Sequence, residues 1–444
     1  MGTQLVQIAS GRPALLPVLT QEDIHLFETD GRHFGFVVDG SRLYQIAEET
    51  AALLQSDSGP SVLARFALQS GNRIADDAPQ SMQIRSLSLA VAQKCNLSCT
   101  YCYAQEGSFG SEPKQMSREA AQQALDFLFS GAEPGQKVML AFMGGEPMLN
   151  RALVRECVEY ASKLAETAAV NVEFSITTNG TLLVPDDAEF FEKHGFSVTV
   201  SLDGIEDKHD RLRPFRGGQG SYKQIIAKVH PFLTMQRRMQ VSARVTVTPE
   251  NLSLRETMDA LLKLGFHSVG FSPMLHAPSA RGEMAADELG EMLRQMTECG
   301  NEFERRLING QRYPFSNVVT ALQQIHKGTH RPYPCGAGAG YLGVSAEGKL
   351  YACHRFVAEE EAEFGDVWNG VDRDIQRQWL HQRHVHRQEP CSKCWARYLC
   401  GGGCHHEAIH RGRPACDYIR GWLDYCLKLY ARVSHAVPGY FAVP

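Results

Sequence analysis

Thirteen cysteines fall into a tight triplet, Cys95, Cys99 and Cys102, a looser series from Cys335 to Cys416, and three isolated residues, Cys157, Cys299 and Cys426. The triplet has the spacing C-x3-C-x2-C. Three thiolates in one short loop can hold three irons of a cubane cluster and leave the fourth iron without a protein ligand. An iron open in this way can chelate an incoming ligand and pass it an electron. In the later series Cys335 precedes Gly348-x4-Cys353, then Cys391-x2-Cys394-x5-Cys400-x3-Cys404, then Cys416. A C-x2-C pair with two later cysteines also suits a tetrahedral zinc, but one zinc leaves three of these cysteines unexplained. Cys426 competes with Cys416 as a ligand, although its place inside the last predicted helix favours packing, as for Cys157 and Cys299. His405, His406 and His410 beside this series are read as surface groups or outer partners of the ligands, and His381, His384 and His386 as a solvated helix face.

The elements that must position the triplet form a βα alternation beginning at Ser86. Strands are predicted at Leu87 to Ala92, Val138 to Phe142, Val172 to Thr177, Ser197 to Leu202, Ser242 to Val247 and Val269 to Met274. Helices are predicted at Ser117 to Phe129, Leu149 to Ala165, Glu189 to His194, Tyr222 to Thr234 and Leu254 to Leu264. Six repeats are too few for a closed eight-fold barrel, so an open α/β partial barrel is expected, with its active site at the C-terminal strand ends. Before it, Ile24 to Phe27, Phe34 to Val38 and Leu43 to Ile46 read as strands separated by Asp30-Gly31 and Asp39-Gly40, with helices at Ala47 to Leu54 and Ser61 to Gln69. Glu283 to Leu307 reads as a long helix leaving the barrel and Gln311 to Pro334 as a bridge. The Cys- and Gly-rich remainder has short regular pieces and a final helix from Tyr418 to Val433, and should fold around its metals. The expected boundaries are 1–81, 82–310, 311–334 and 335–444.

The triplet, with an aromatic residue, Tyr101, before its last cysteine, resembles the signature of the radical S-adenosylmethionine (SAM) superfamily. The resemblance implies a partial (β/α)6 barrel, a 4Fe-4S cluster on the triplet, SAM on its open iron, and Tyr101 against the adenine. It also implies a SAM-binding turn at Gly144-Gly145-Glu146-Pro147, whose glycines admit a close ligand and whose exposed main-chain groups, together with the carboxylate, hold the methionyl ammonium. Ser201-Leu202-Asp203-Gly204 with Arg213 resembles the segment that contacts the SAM carboxylate and ribose, and Thr178-Asn179-Gly180 ends its strand in a similar way. The later cysteines resemble the SPASM extension, which implies two auxiliary 4Fe-4S clusters. Transferred along that pattern, Cys335, Cys353 and Cys404 serve the first, with one iron open, and Cys391, Cys394, Cys400 and Cys416 serve the second.

Within that group the chain is similar to peptide-modifying maturases that form thioethers, of the quinohemoprotein amine dehydrogenase maturation type. This closer likeness rests on Cys99 to Ala104, Gly401-Gly402-Gly403-Cys404 and Cys416 to Leu423. The N-terminal unit resembles a winged-helix-like precursor-recognition domain that takes a leader peptide at a strand edge. The implied partners are a ribosomally made precursor peptide and an external electron donor such as flavodoxin or ferredoxin. Anaerobic sulfatase maturases are the competing enzymes, but they have a catalytic aspartate directly after the cysteine of G-x4-C. Here that position is His354, a candidate base. A carbon–carbon cross-linker, or an iron–sulfur electron-transfer protein without radical chemistry, is the further alternative.

The bulk properties agree. The chain has 444 residues with 43% hydrophobic content, enough for two or three domains. A net charge of −5 with scattered basic residues gives no footprint for nucleic acid or an anionic membrane. Met1 to Leu19 is broken by Gly11, Pro13 and Pro17, and no window nears the ~18 apolar residues of a spanning helix. A cytoplasmic enzyme is therefore expected, where cysteines serve metals rather than disulfides.

Overall fold

The computed structural model describes residues 6–7, 21–55, 74–77 and 82–442. Its centre is a run of parallel strands, β5 (Ser86–Gln93), β7 (Lys137–Gly144), β8 (Asn171–Thr178), β9 (Ser197–Ser201), β10 (Gln240–Val247) and β11 (Ser268–Pro273), hydrogen-bonded side by side in chain order. Such order requires a crossover after each strand, and helices supply it: α2 (Arg118–Ser130), α3 (Arg151–Ala168), α4 (Pro185–His194), α6 (Tyr222–Met235) and α7 (Leu254–Lys263). A shorter helix, α5 (Glu206–Leu212), precedes α6. The six strands and five principal helices fall within a few residues of the sequence expectation, and the sheet stays open.

Strand patterning dictates what faces the hollow side. In β10, Val241, Ala243, Val245 and Val247 are buried, while Ser242, Arg244 and Thr246 alternate with them on the opposite face. β9 repeats the pattern, with Val198 and Val200 buried and Thr199 and Ser201 opposite. The apolar faces share one large core; the opposite face is polar in β9 and β10, while β7 adds Met139, Ala141 and Met143 to it.

Beyond the barrel, α8 (Ala286–Ile308) and α9 (Ser316–His326) pack with α13 (Cys416–Ala436). The segment expected as a plain bridge thus contains an eleven-residue helix, α9. β12 (Tyr341–Val344) then pairs parallel with β5, matching Leu342 to Leu87, and β13 (Lys349–Tyr351), β14 (Glu363–Asp366) and β15 (Gly370–Val371) follow antiparallel. The cysteine-rich region is therefore stitched to the strand that leads into the triplet, and it includes the eleven-residue helix α10 (Arg373–Arg383).

At the N-terminal side β2 (Ile24–Thr29), β3 (Arg32–Val37) and β4 (Arg42–Ile46) form an antiparallel sheet followed by α1 (Glu48–Gln55). β1 (Val6–Gln7) lies parallel on the β4 edge. The helix expected at Ser61 to Gln69 lies outside the described residues. The sheet docks on the C-terminal region: the His25 ring stacks on Trp395 at 3.8 Å and its Nε2 meets Asp424 at 2.8 Å. Among the described residues no helix is long and apolar enough to cross a membrane.

Candidate active site

Cys95, Cys99 and Cys102 sit in the loop after β5 and open on a cavity of about 670 Å³ at the C-terminal strand ends. The turn after β7 presses on that loop. The Gly145 N–H donates to Ala92 O at 2.8 Å and the Glu146 N–H to Lys94 O at 2.9 Å. A Cβ on Gly144 would stand 2.3 Å from Ala92 O and one on Gly145 2.2 Å from Lys94 O, so only glycine allows this approach. Both glycines line the cavity; Glu146 and Pro147 do not. The expectation for the Glu146 carboxylate is corrected here. It is fully buried and accepts from Met148 N (3.0 Å), Thr178 Oγ1 (2.7 Å) and Asn179 N (2.7 Å), so it braces the turn and has no free edge for a ligand ammonium.

Tyr101 is buried, donates to Asp203, and lies under the guanidinium of Arg213, 5.5 Å from its ring centroid. Arg213 donates to Asp203 at 2.7 Å and approaches Cys99 Sγ at 3.7 Å. Burial works against the Arg213 charge, and Asp203 more than restores it. Asp203 is held in turn by the Thr246 N–H at 2.9 Å. Ser201, Arg213 and Tyr101 thus line the same cavity as the triplet. Burial pushes the Cys95 thiol up to about 11 and Cys99 up to about 12. Thiolates are stable here only with a compensating cation, which bound iron provides.

The later cysteines form two neighbouring groups. Cys391, Cys394, Cys400 and Cys416 line a small cavity of about 60 Å³, which Cys404 also touches. Cys426 and Cys299 are fully buried between helices and line neither cavity, which favours Cys416 as the ligand. Cys335 and Cys404 lie close enough to Cys353 to disfavour its thiolate, adding to the burial that pushes it up to about 12. A tetrahedral zinc, with Zn–S of about 2.3 Å, draws its sulfurs to roughly 3.8 Å apart. Among the described residues no three cysteine sulfurs lie within 4.8 Å of one another.

Cys404 also lines the large cavity, together with His354, Arg355 and Glu407. His354 Nδ1 meets the Tyr341 hydroxyl at 2.7 Å, and burial pushes this histidine down to about 4, leaving it neutral near pH 7. Arg355 donates to Glu407 at 2.7 Å, approaches Cys404 Sγ at 3.8 Å, and covers the Tyr103 ring at 5.2 Å. Arg355, Glu407 and Arg244 carried no motif that singles them out. His405 and His406 are buried, which fits outer partners of the ligands rather than surface groups, and the solvated face expected at His381, His384 and His386 is corrected: His384 is buried and His386 bridges Asp76 and the Tyr398 hydroxyl at 2.6 Å each. His406 and His410 both contact the carboxylate of Glu359, at 3.2 and 3.0 Å.

A sequence model of the radical SAM superfamily matches residues 89–261. The chain is 34% identical over 342 residues to the cysteine-type anaerobic sulfatase-maturating enzyme of Clostridium novyi (strain NT), covering 72% of this chain and 88% of that protein. The chain belongs to the radical SAM superfamily. It is also 25% identical over 350 residues to the serine-type anaerobic sulfatase-maturating enzyme of Klebsiella aerogenes, covering 75% of this chain and 83% of that one. Among solved structures, native anSMEcpe with bound AdoMet matches with a TM-score of 0.67 at 19% identity, covering 79% of this chain and 99% of that chain, a likeness of fold. As a radical SAM enzyme the protein uses SAM and a 4Fe-4S cluster, and its residues fit them. The cysteine triplet could hold three irons, and the cavity of about 670 Å³ beside it has room for the nucleoside.

Proposed function

We infer that this enzyme modifies a ribosomally made peptide and that, beside the SAM-binding cluster, it carries two auxiliary 4Fe-4S clusters, one on Cys335, Cys353 and Cys404 and one on Cys391, Cys394, Cys400 and Cys416. The observation that carries the reading is Cys404, which lines the same cavity as Cys95, Cys99 and Cys102. A three-thiolate site with one of its cysteines, Cys404, on the wall of the reaction cavity would leave a position that a substrate cysteine can complete, which would fix its sulfur as a thiolate beside the reacting carbon. SAM, when bound, supplies a 5′-deoxyadenosyl radical that takes a hydrogen atom. The net change for a thioether is one C–H and one S–H replaced by a C–S bond. The hydrogen atom goes to the radical, the thiol proton to solvent, and the remaining electron into an auxiliary cluster.

The protein's own part is positioning. Asp203 and Thr246 fix Tyr101 and Arg213 at the triplet, and Ser201 offers a hydroxyl to the SAM carboxylate. His354, neutral and held by Tyr341, can accept a proton at the cavity wall. A leader peptide would add to the N-terminal sheet along the β4 edge by taking the place of β1, which pairs there in this structure. An external low-potential donor, flavodoxin or ferredoxin, supplies the electron that starts each turnover.

Sulfatase-maturase-like oxidation of a serine or cysteine to an aldehyde, formylglycine, is the second reading, favoured by the extent of similarity to relatives named serine-type and cysteine-type sulfatase-maturating enzymes. His354 stands where those enzymes have an aspartate, which favours cross-linking. Mass spectrometry of a reacted precursor decides. Loss of two hydrogens with one fewer alkylatable thiol supports a thioether; the same loss with every thiol free and no hydrazine-reactive aldehyde means a carbon–carbon bond; a hydrazine-reactive aldehyde, formed with loss of a cysteine sulfur or of two hydrogens from a serine, means formylglycine. Reconstituted enzyme should hold about twelve irons per chain, three clusters of four.

A further inference from the structure

Three arginines face the reaction cavity, and two of them are neutralised. Arg213 is paired with Asp203 at 2.7 Å and Arg355 with Glu407 at 2.7 Å. The third, Arg244, has no ion-pair partner among the described residues. Its only hydrogen bond there is from Nη1 to Ser272 Oγ, at 3.2 Å. The position is built to hold a guanidinium. In register, Arg244 lies between Ser201 on β9 and Gly270 on β11, and a Cβ on Gly270 would stand 3.2 Å from Arg244 Nη1. The glycine therefore leaves the width that the side chain occupies. Arg244 is exposed to the cavity and no carboxylate supports its charge, whereas Asp203 and Glu407 support those of Arg213 and Arg355. An arginine on the polar face of a strand, next to a serine hydroxyl and without a counter-charge, is a fork of donors awaiting an anion.

We propose that Arg244 is the carboxylate anchor of the reaction cavity, closing on a ligand carboxylate with its free guanidinium edge while Ser201 and Ser272 flank it. Two molecules that enter this cavity can bring a carboxylate: SAM, through its methionyl group, and the peptide, through an acidic side chain beside the attacked residue. The anchor rests on the reading of this cavity as the place where SAM and peptide meet. Arg213 and Arg355 already have a carboxylate partner each, so Arg244 is the arginine of this cavity whose charge is uncompensated among the described residues.

The test uses full-length reconstituted holoenzyme with iron counted in each sample, and compares wild type with R244K, R244Q and R244M. One arm measures equilibrium binding of SAM and of decarboxylated SAM. The other measures, on SAM-loaded enzyme, binding of N-acetyl-glutamate methylamide against N-acetyl-glutamine methylamide by saturation-transfer NMR. If SAM is the source, R244M and R244Q weaken SAM at least tenfold and leave decarboxylated SAM unchanged, with R244K between. If the peptide is the source, wild type prefers the glutamate probe at least tenfold and R244M abolishes the preference. The proposal is overturned when R244M and R244Q, with full iron, keep the wild-type ratio of SAM to decarboxylated SAM, and wild type does not distinguish the two probes. Wild-type enzyme with full iron that binds no SAM would instead refute the reading of the cavity itself.

Discussion

Each of the three thiol groups has an arginine at one of its sulfurs. Arg213 Nη1 is 3.7 Å from Cys99 Sγ, Arg355 Nη1 is 3.8 Å from Cys404 Sγ, and Arg420 is hydrogen-bonded to Cys394. A cation there stabilises the more negative, reduced form of a cluster, and hydrogen bonds to the sulfurs act in the same direction. Replacing Arg355 with Met should therefore lower the reduction potential of the auxiliary cluster proposed on Cys335, Cys353 and Cys404, by roughly 59 mV or more for a tenfold shift in a one-electron couple. R355K should recover most of it. Potentiometric EPR titration with iron content checked is the measurement, and an unchanged potential in R355M counts against the role. At this scale the cysteines were legible because their spacing is the signal. Arg355 and Arg244 were not, because a single charge on a turn or strand has no period, and its value depends on which carboxylates the fold brings near. Glu146 was misread for a related reason. The motif indicates a carboxylate, but only the fold shows Thr178 and Asn179 closing on it.

Among the elements, the turn after β7 sets where the cysteine loop stands. A Cβ at Gly145 collides with the carbonyl of Lys94, the residue just before Cys95, so G145A must push the loop and its thiolates out of place. The expected outcome is loss of about one third of the iron, with the two C-terminal clusters retained, read by iron analysis and EPR. Full iron in G145A would show that the turn does not position the loop. The helix α5 makes a different contribution. Its His209 is fully buried, accepts from the Asp203 N–H through Nδ1 at 3.2 Å, and meets Ser221 Oγ through Nε2 at 3.0 Å. Burial pushes it down to about 4, with Arg213 adding to the effect and Asp203 and Asp210 opposing it. Below its unfolded value of about 6.5 the unfolded chain takes a proton that the folded one refuses. Stability is therefore complete above that pH and lost as pH falls toward 4, by at most about 3 kcal/mol. H209Q should be weaker than wild type near neutrality yet lose stability less steeply between pH 6.5 and 4, as urea midpoints would show; parallel curves would contradict the assignment. The barrel strands were legible because Val, Ile and Phe alternate with polar residues at period two. α5 and α10 were not, being short or rich in charged residues, with no apolar stripe to mark them.

At the scale of the whole molecule, sequence separated three units that the structure joins. β12 pairs with β5 across some 250 positions, a contact that local pattern does not encode. The N-terminal sheet is likewise not a free appendage. Arg397, buried between Cys394 and Cys400 in the chain, is paired with Asp23 at 2.5 Å and takes further support from Asp39 at 3.7 Å. Removing residues before Met82 deletes both carboxylates and leaves a buried cation unpaired, at a cost of about 3 to 5 kcal/mol. It also uncovers Trp395, on which His25 stacks. A chain beginning at Met82 should therefore lose iron from the Cys391, Cys394, Cys400 and Cys416 group while keeping the triplet cluster and slow SAM cleavage. Poor peptide modification by that chain would then report a damaged electron path as much as a missing recognition surface. Replacing Arg397 with Met in the truncated chain separates the two, because it removes the stranded charge without restoring the sheet. Iron should return to the second auxiliary site. If peptide modification stays low once the iron is back, the N-terminal sheet recognises the peptide, and if it recovers with the iron, the sheet serves only to brace the cluster. A truncated chain that keeps all its iron from the start would show that the Asp23–Arg397 contact does not support the site at all.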